Sequence, residues 1–164
     1  MNQLAAVYKE SIEFARAHYE NFPVVSFLIK KDLRKHIAVI YRFSRTADDM
    51  ADEGSFTSKE RLEMLNSFEE RLASSIKGNF MNHFEEALYH TITDKNLSPE
   101  YFFNLLTAFK QDVCKKRYEN FDNLLGYCRN SADPVGRLVL ELHGIRKDNA
   151  FYLSDKICTA LQLT

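Results

Sequence analysis

The stretch IAVIYRFSRTADDMADE, residues 37–53, runs from apolar residues into four carboxylates, so a buried-helix pattern ends in charge. At about 100° per residue, one helix face collects four side chains: Tyr41, Arg45, Asp48 and Asp52. Asp49 and Glu53 turn progressively away from that face. Because Asp48 and Asp52 are one helical turn apart, their carboxylates can hold a hard divalent cation between them.

A helix that ends in carboxylates carries an electrostatic cost, because the helix macrodipole favours cations there. The ordinary interpretation is a solvated helix end. Two features favour a site instead: the cost calls for a metal ion or another partner, and the cluster continues the stripe that faces the core. Mg²⁺ suits a carboxylate pair, since it keeps several waters and takes substrate phosphates as further ligands. Arg45, one turn before Asp48, could then hold a diphosphate oxygen.

Composition limits the classes of protein that fit. With 164 residues, 45% of them hydrophobic, the chain is expected to form a single domain over 1–164. The net charge is −1 and basic residues are spread along the chain, which argues against nucleic acid as a partner. The cysteines, Cys114, Cys128 and Cys158, form no CxxC pair, which favours a reducing, cytoplasmic setting over disulfides or zinc. No apolar run approaches the ~20 residues that cross a bilayer, so membrane contact would be peripheral.

Apolar residues recur at three- and four-residue steps, and this spacing predicts an all-α chain. Seven helices are predicted, at about residues 2–20, 31–53, 58–77, 81–95, 99–117, 121–143 and 148–163. Thr57 and Glu60 form a capping box for the third helix, and Ser98 is the expected N-cap of the fifth. Pro134 falls inside the sixth helix and should kink it, because proline lacks an N–H and clashes with the preceding turn.

The last residues, CTALQLT (158–164), form an amphipathic helical pattern with no glycine, asparagine or basic last turn to end it. We therefore expect the chain to be the N-terminal part of a longer protein. Apolar surface exposed by missing helices would favour self-association, such as a homodimer.

Four stretches follow one another along the chain: HYENFP (18–23), DDMAD (48–52), QDVCKKRYENFDNLLGYC (111–128) and RNSADPVGRLVLELHG (129–144). Together they resemble the squalene and phytoene synthases, prenyl-diphosphate enzymes of the head-to-head type. The resemblance implies an isoprenoid-synthase-type bundle of helices around an apolar cavity, incomplete at its C-terminus, with Mg²⁺ and a diphosphate at the cavity mouth. The family's second aspartate-rich motif would begin after Thr164, so the chain alone is expected to turn over little or no substrate.

The resemblance also implies roles for individual residues. Asp48 and Asp52 match the metal-binding aspartates, while Arg45, Tyr41 and His18 match catalytic positions near the diphosphate. Six residues match substrate-binding positions: Phe22, Asp112, Tyr127, Val135, Gly136 and Leu138. The glycine is expected to let a prenyl chain approach the backbone. For the valine and the leucine, ordinary helix core is an equal alternative.

The stretches SRTADDMADE and SADPVGRL look most like the bacterial branch that works beside hopanoid synthesis, the hydroxysqualene synthase type, and Arg137 is typical of that branch. This resemblance implies ionisation of presqualene diphosphate and capture of the carbocation by water, which gives hydroxysqualene. Head-to-head condensation of two prenyl diphosphates, such as farnesyl diphosphate, to squalene or a phytoene-type product uses the same ionisation chemistry and remains open. An alternative of another class is a truncated, non-catalytic helical module that binds a partner or a lipid.

Overall fold

The computed structural model describes residues 3–18 and 29–164, and within these ranges it contains helices and no strand. The helices are α1 (Gln3–Ala17), α2 (Lys31–Asp52), α3 (Ser58–Ile76), α4 (His83–Asp94), α5 (Glu100–Cys114), α6 (Phe121–Ser131), α7 (Asp133–Leu142) and α8 (Asp148–Gln162). The prediction of an all-α fold is confirmed. Part of the HYENFP stretch, including Phe22, lies outside the described residues.

Helix α2 is the longest element and runs through the middle of the bundle, where it contacts α1, α3, α4, α5 and α7. Its apolar stripe supplies Val39, Phe43 and Ala47, which are fully buried. The Phe43 ring stacks on Phe68 of α3 at 5.1 Å and meets Phe102 of α5 edge-on at 5.2 Å. Burial of each of the larger side chains stabilises the fold by roughly 1.5–3 kcal/mol. This burial fixes the rotation of α2 about its axis, and therefore the direction of its acidic end.

Two local features that can be read from the sequence define the turn between α2 and α3. Gly54 has a φ of +73°, a backbone conformation that favours glycine, and it reverses the chain directly after α2. The predicted capping box is confirmed: Glu60 N–H donates to Thr57 Oγ1 at 3.3 Å, and Thr57 N–H donates to Glu60 Oε2 at 2.8 Å. Helix α3 therefore starts at a fixed point beside the end of α2.

The predicted helix at 121–143 is wrong in one respect, because the structure breaks it into α6 and α7. Ala132 N–H still donates to the Cys128 carbonyl at 2.9 Å, but Pro134 has no N–H with which to continue the ladder. Proline instead occupies the first turn of α7, where a missing donor costs nothing. The result is two separate helices that meet at Ala132, where one kinked helix was expected.

Ser98 does not cap α5 as predicted. Its hydroxyl donates to Glu141 Oε1 at 2.6 Å and its N–H donates to Glu141 Oε2 at 2.8 Å. Glu141 is buried and also pairs with Arg146, which holds the carbonyls of Lys95 and Asn96. This network ties the end of α7 to the turn before α5. Across residues 3–18 and 29–164, no helix is both long and apolar enough to span a bilayer.

Candidate active site

The acidic end of α2 is organised around Arg45. The guanidinium donates from Nη1 to Asp48 Oδ2 at 2.9 Å and from Nη2 to Glu53 Oε1 at 2.6 Å. Its Nε lies 2.7 Å from Asp49 Oδ1, an ion pair without hydrogen-bond alignment. One arginine therefore gathers three carboxylates, including the two that were predicted to turn away from the stripe. The long side chain reaches across about a third of the helix circumference, which the backbone angles alone do not reveal.

The C-terminal end of α1 lies over α2 at the same place. Tyr41 Oη donates to the carbonyl oxygen of His18 at 3.0 Å, and the His18 ring packs on Phe14 with centroids 4.2 Å apart. His18 Nδ1 lies 2.9 Å from the Phe14 carbonyl oxygen. The structure thus places His18 against Tyr41, one turn before Arg45 on α2.

Asp112 of α5 and Tyr127 of α6 approach the acidic end from the other side. Tyr127 Oη donates to Asp112 Oδ2 at 3.0 Å. Burial raises the pKa of Asp112, the Tyr127 hydrogen bond lowers it, and the Asp52 charge raises it again. Burial likewise raises the pKa of Asp48, and the neighbouring Asp52 adds to that rise. The carboxylates of α2 and α5 therefore repel one another, and a shared cation would relieve this repulsion.

The donor set fits Mg²⁺ as an ion that protein and substrate share. Asp48 and Asp52 offer carboxylate oxygens that are open to solvent at least in part. Mg²⁺ commonly binds one or two carboxylates and completes its shell with waters and substrate phosphates. In the part of the chain that the structure describes, no three His, Cys, Asp or Glu side chains are grouped to hold a metal by themselves. The two aspartates would hold such an ion together with a phosphate-bearing ligand.

An apolar groove of about 220 Å³ lies between α2 and α7. Its lining comprises Ile37, Ile40, Tyr41, Ser44, Val135, Leu138, Val139 and Leu142. Tyr41 lines the groove and lies one turn before Arg45, so the groove begins beside the charged end of α2. Two of the predicted substrate-binding residues, Val135 and Leu138, are in this lining; Val135 is 45% exposed, whereas Leu138 is fully buried.

Gly136 does not face the groove. A Cβ built at this glycine would lie 2.6 Å from Cys158 Sγ and still closer to Ser154 Oγ, both on α8. The space that we expected a prenyl chain to use is therefore filled by another helix. A side chain at this position would force Ser154 and Cys158 to change rotamer or the two helices to separate, so glycine favours the close α7–α8 packing.

Arg137, whose role the sequence left open, links α7 to α8. Its Nε donates to Asp155 Oδ1 at 2.9 Å and its Nη2 donates to Asp155 Oδ2 at 2.6 Å. The guanidinium also lies over the rings of Tyr101 and Phe151, at 5.7 and 5.5 Å from their centroids. This bidentate pair orients α7 and is directed away from the groove.

Sequence reasoning missed several residues around the site. Ser44, Val139 and Leu142 line the groove, and the i, i+3, i+4, i+7 spacing of the α7 residues could have found two of them. Arg61 of α3 contacts the end of α2, and no local sequence pattern predicts this contact. Its contacts depend on how the chain turns at Gly54.

The described helices form an all-α bundle in which the charged end of α2 follows directly on the residues that line an apolar groove. The squalene/phytoene synthase family model matches residues 15–164. The chain belongs to the squalene/phytoene synthase family.

Individual relatives show which members of the family this chain is similar to. The chain is 40% identical over 154 residues to a hydroxysqualene synthase from Zymomonas mobilis and 40% identical over 145 residues to one from Sinorhizobium fredii. Each alignment covers 88% of this chain and 48% of the relative. The crystal structure of squalene synthase HpnC from Alicyclobacillus acidocaldarius superposes with a TM-score of 0.90 at 39% identity, covering 99% of this chain and 60% of that one. The chain thus spans about half the length of the curated relatives it matches.

Proposed function

We propose that the gene product containing this chain is a Mg²⁺-dependent prenyl-diphosphate enzyme that ionises presqualene diphosphate and gives hydroxysqualene. One observation carries the proposal: α2 carries Arg45, Asp48 and Asp52 in its last turns, and the residues just before them, Tyr41 and Ser44, line an apolar groove. A prenyl diphosphate has a charged head and an apolar body, and these two surfaces match its two halves.

The charged end would bind the diphosphate. Mg²⁺ held by Asp48 and Asp52 would supply positive charge to the leaving diphosphate. Arg45 adds two N–H groups that already hold oxyanions, Nη1 on Asp48 and Nη2 on Glu53. A diphosphate oxygen can replace a carboxylate on this guanidinium, because both are oxyanions that accept charge-assisted hydrogen bonds.

The groove would hold the prenyl chain and exclude water from the carbocation. Its walls are aliphatic apart from Tyr41 and Ser44, the two lining residues of α2 that are nearest to Arg45 in the sequence. The hydrogen bond from Tyr41 to the His18 carbonyl holds the end of α1 against this ring. An apolar wall at this point lets the cation survive until one water is admitted, which is the condition for forming an alcohol.

Head-to-head condensation of two prenyl diphosphates is the second candidate function. The similarity to a solved squalene synthase at 39% identity supports it. The two hydroxysqualene synthases at 40% identity support the first candidate. Both reactions begin with loss of diphosphate from the same kind of site, so the products must decide.

The test uses the full gene product, incubated with Mg²⁺ and either presqualene diphosphate or farnesyl diphosphate, with extraction and mass spectrometry of the products. We expect hydroxysqualene from presqualene diphosphate, and no product in EDTA. Formation of presqualene diphosphate or of a phytoene-type product from farnesyl diphosphate alone would favour condensation. No turnover of either substrate would favour the non-catalytic module.

A matched pair of variants tests the assignment of the metal-binding aspartates. Asp48→Asn should abolish turnover, because it removes a carboxylate from the proposed ion site. Asp32→Asn, in the first turn of the same helix, should keep it, because Asp32 is remote from the charged end. Equal turnover by the two variants would contradict the assignment.

We also propose a cytoplasmic protein with peripheral contact to the membrane surface, since a product such as hydroxysqualene is apolar. Three exposed apolar residues of α8, Leu153, Ile157 and Leu161, offer a surface for self-association. Flotation with lipid vesicles tests the first point, and sedimentation equilibrium tests for a homodimer. Absence of the protein from the floating fraction would contradict membrane contact.

A further inference from the structure

Arg61, in the first turn of α3, donates hydrogen bonds to four backbone carbonyls at the end of α2 and in the turn that follows. Nη1 donates to the carbonyl oxygens of Glu53 at 2.9 Å and Met50 at 3.3 Å, and Nη2 donates to those of Gly54 at 2.8 Å and Asp52 at 3.2 Å. One guanidinium therefore spans the backbone from residue 50 to residue 54.

These contacts offset unfavourable electrostatics at the C-terminal end of α2. The last carbonyls of a helix lack intrahelical partners, and they form the negative end of its macrodipole. Helix α2 has no basic residue in its last turn and places Asp49 and Asp52 there instead. The cation that compensates this end comes from the next helix, through Arg61.

Arg61 is itself held firmly. The capping box of Thr57 and Glu60 fixes the start of α3, and Arg61 N–H donates to the Thr57 carbonyl at 3.0 Å. One turn later Leu65 is fully buried in the core. The guanidinium is therefore a fixed support for the end of α2, and its position is set by the core.

The two arginines at the end of α2, Arg45 and Arg61, have different kinds of partner. Arg45 pairs with carboxylates, so it competes with any cation that they bind. Among the described residues, no ion pair involves Arg61, and its hydrogen bonds all go to carbonyls. It can therefore support the backbone without occupying the carboxylate oxygens.

We propose that Arg61 is a positioning residue for the metal-binding aspartates. By holding the carbonyls of residues 50–54, it keeps the last turn of α2 helical, so that the Asp52 carboxylate stays one turn from that of Asp48. This inference rests on the proposed function, because it gives Arg61 a role toward the ion site. It predicts that loss of Arg61 damages ion and diphosphate binding more than it damages the fold.

The test compares Arg61→Gln with Arg71→Gln in the full gene product. Arg71 is on the same helix and pairs with Glu85 of α4, so its loss weakens α3 packing without touching α2. Calorimetry with a non-hydrolysable farnesyl diphosphate analogue and Mg²⁺ gives the affinity, and a thermal melt gives the stability. We expect Arg61→Gln to weaken Mg²⁺-dependent binding about 10-fold or more, as loss of a residue that supports a metal ligand commonly does. We expect Arg71→Gln to bind within about 2-fold of the wild type even if its melting temperature falls further.

A second readout needs no ligand. Glu53 N–H donates to the Asp49 carbonyl at 2.9 Å, so its hydrogen exchange reports whether the last turn stays closed. Exchange at this amide should accelerate in Arg61→Gln and stay at the wild-type rate in Arg71→Gln. Arg61→Lys can reach fewer carbonyls, so it should fold and give intermediate values for both exchange and binding. If Arg61→Gln unfolds, Arg61→Lys replaces it in both measurements.

The outcomes separate the two claims. Wild-type binding by Arg61→Gln, or by Arg61→Lys if Arg61→Gln unfolds, would overturn the positioning role. An equal loss of binding in Arg71→Gln would also overturn it, because the effect would then follow stability. Failure of the wild type to bind the analogue with Mg²⁺ would overturn the proposed function itself, while the exchange experiment would still report on Arg61.

Discussion

Tyr127 Oη lies 3.0 Å from Asp112 Oδ2, and this hydrogen bond joins α6 to α5 beside the acidic end of α2. The acceptor is a partly buried carboxylate whose pKa is raised chiefly by burial and also by the Asp52 charge. A hydroxyl that donates to it stabilises the charged form, and therefore keeps a carboxylate at this side of the site.

Replacement of Tyr127 by Phe should lower the free energy of unfolding by about 1.5 kcal/mol, because a hydrogen bond to a charged group is lost and a partly buried acceptor is left without its donor. Urea unfolding at pH 7 measures the change. Tyr152→Phe is the control, since Tyr152 is 59% exposed and its change should stay within about 0.5 kcal/mol. Equal effects of the two replacements would mean that the Tyr127 hydrogen bond contributes nothing.

Gly136→Ala should destabilise the chain by about 1–3 kcal/mol, because the new methyl group would overlap Ser154 and Cys158 of α8. Gly126→Ala is the matched control within a helix, since nothing lies within 4 Å of a Cβ built there. Alanine favours the helix over glycine, so that control should be neutral or up to about 1 kcal/mol more stable. Thermal or urea unfolding of both variants decides, and a stable Gly136→Ala would contradict the close packing of α7 on α8.

Glu141→Ala should cost about 3 kcal/mol or more. The glutamate is buried, accepts two hydrogen bonds from Ser98 and pairs with Arg146, so its removal leaves donors and a cation without their partner. Glu63→Ala removes an exposed i, i+4 partner of Lys59 and should change the free energy of unfolding by less than about 0.5 kcal/mol. Similar losses in the two variants, measured by urea unfolding, would contradict a structural role for the Glu141 network.

The stability of the chain should fall as the pH drops below 6.5, and part of this fall should come from His36. Burial lowers the pKa of His36 to about 4. Nearby groups are Lys35 and Lys95, which add to the lowering, and Asp94 and Asp32, which oppose it. The ring contacts Thr91 Oγ1 at 3.1 Å and the edge of Tyr8.

Because the folded-state pKa lies below the unfolded value of 6.5, the contribution of His36 is fully present above pH 6.5 and is lost as the pH falls toward 4. Between pH 7 and pH 5 the loss from this group should be about 2 kcal/mol. Urea unfolding at both values, for the wild type and His36→Gln, measures it. The neutral variant should lose about 2 kcal/mol less than the wild type over this interval, and equal losses would show that His36 is not the titrating group.

The sequence alone could predict the face of α2, and the reason is geometric. Helical periodicity places Tyr41, Arg45 and Asp48 on one stripe whatever the tertiary structure does, and the structure retains that stripe. The capping box at Thr57 and Glu60 is equally local. Apolar periodicity also predicted the all-α fold, and the resemblance to the squalene and phytoene synthases added the groove residues Val135 and Leu138.

The features that the sequence could not predict depend on tertiary packing. Pro134 ends the hydrogen-bond ladder between α6 and α7, and a proline alone does not distinguish a kink from a break. Gly136 could equally have faced a ligand or a helix, since either requires the absence of a side chain. The pair of Arg137 with Asp155 and the contacts of Arg61 join separate helices, and periodicity carries no information about such pairs.

The measurement that tests the central claim most directly is the melting temperature of the full gene product with a non-hydrolysable farnesyl diphosphate analogue, with and without Mg²⁺, beside the Asp48→Asn/Asp52→Asn double variant. If the acidic end of α2 binds the ion and the diphosphate together, the wild type should gain about 2.7 kcal/mol at 100 times the dissociation constant, in Mg²⁺ only. The double variant should gain nothing. An equal rise in both proteins, or no Mg²⁺-dependent rise in the wild type, would contradict the claim that Asp48 and Asp52 form this site.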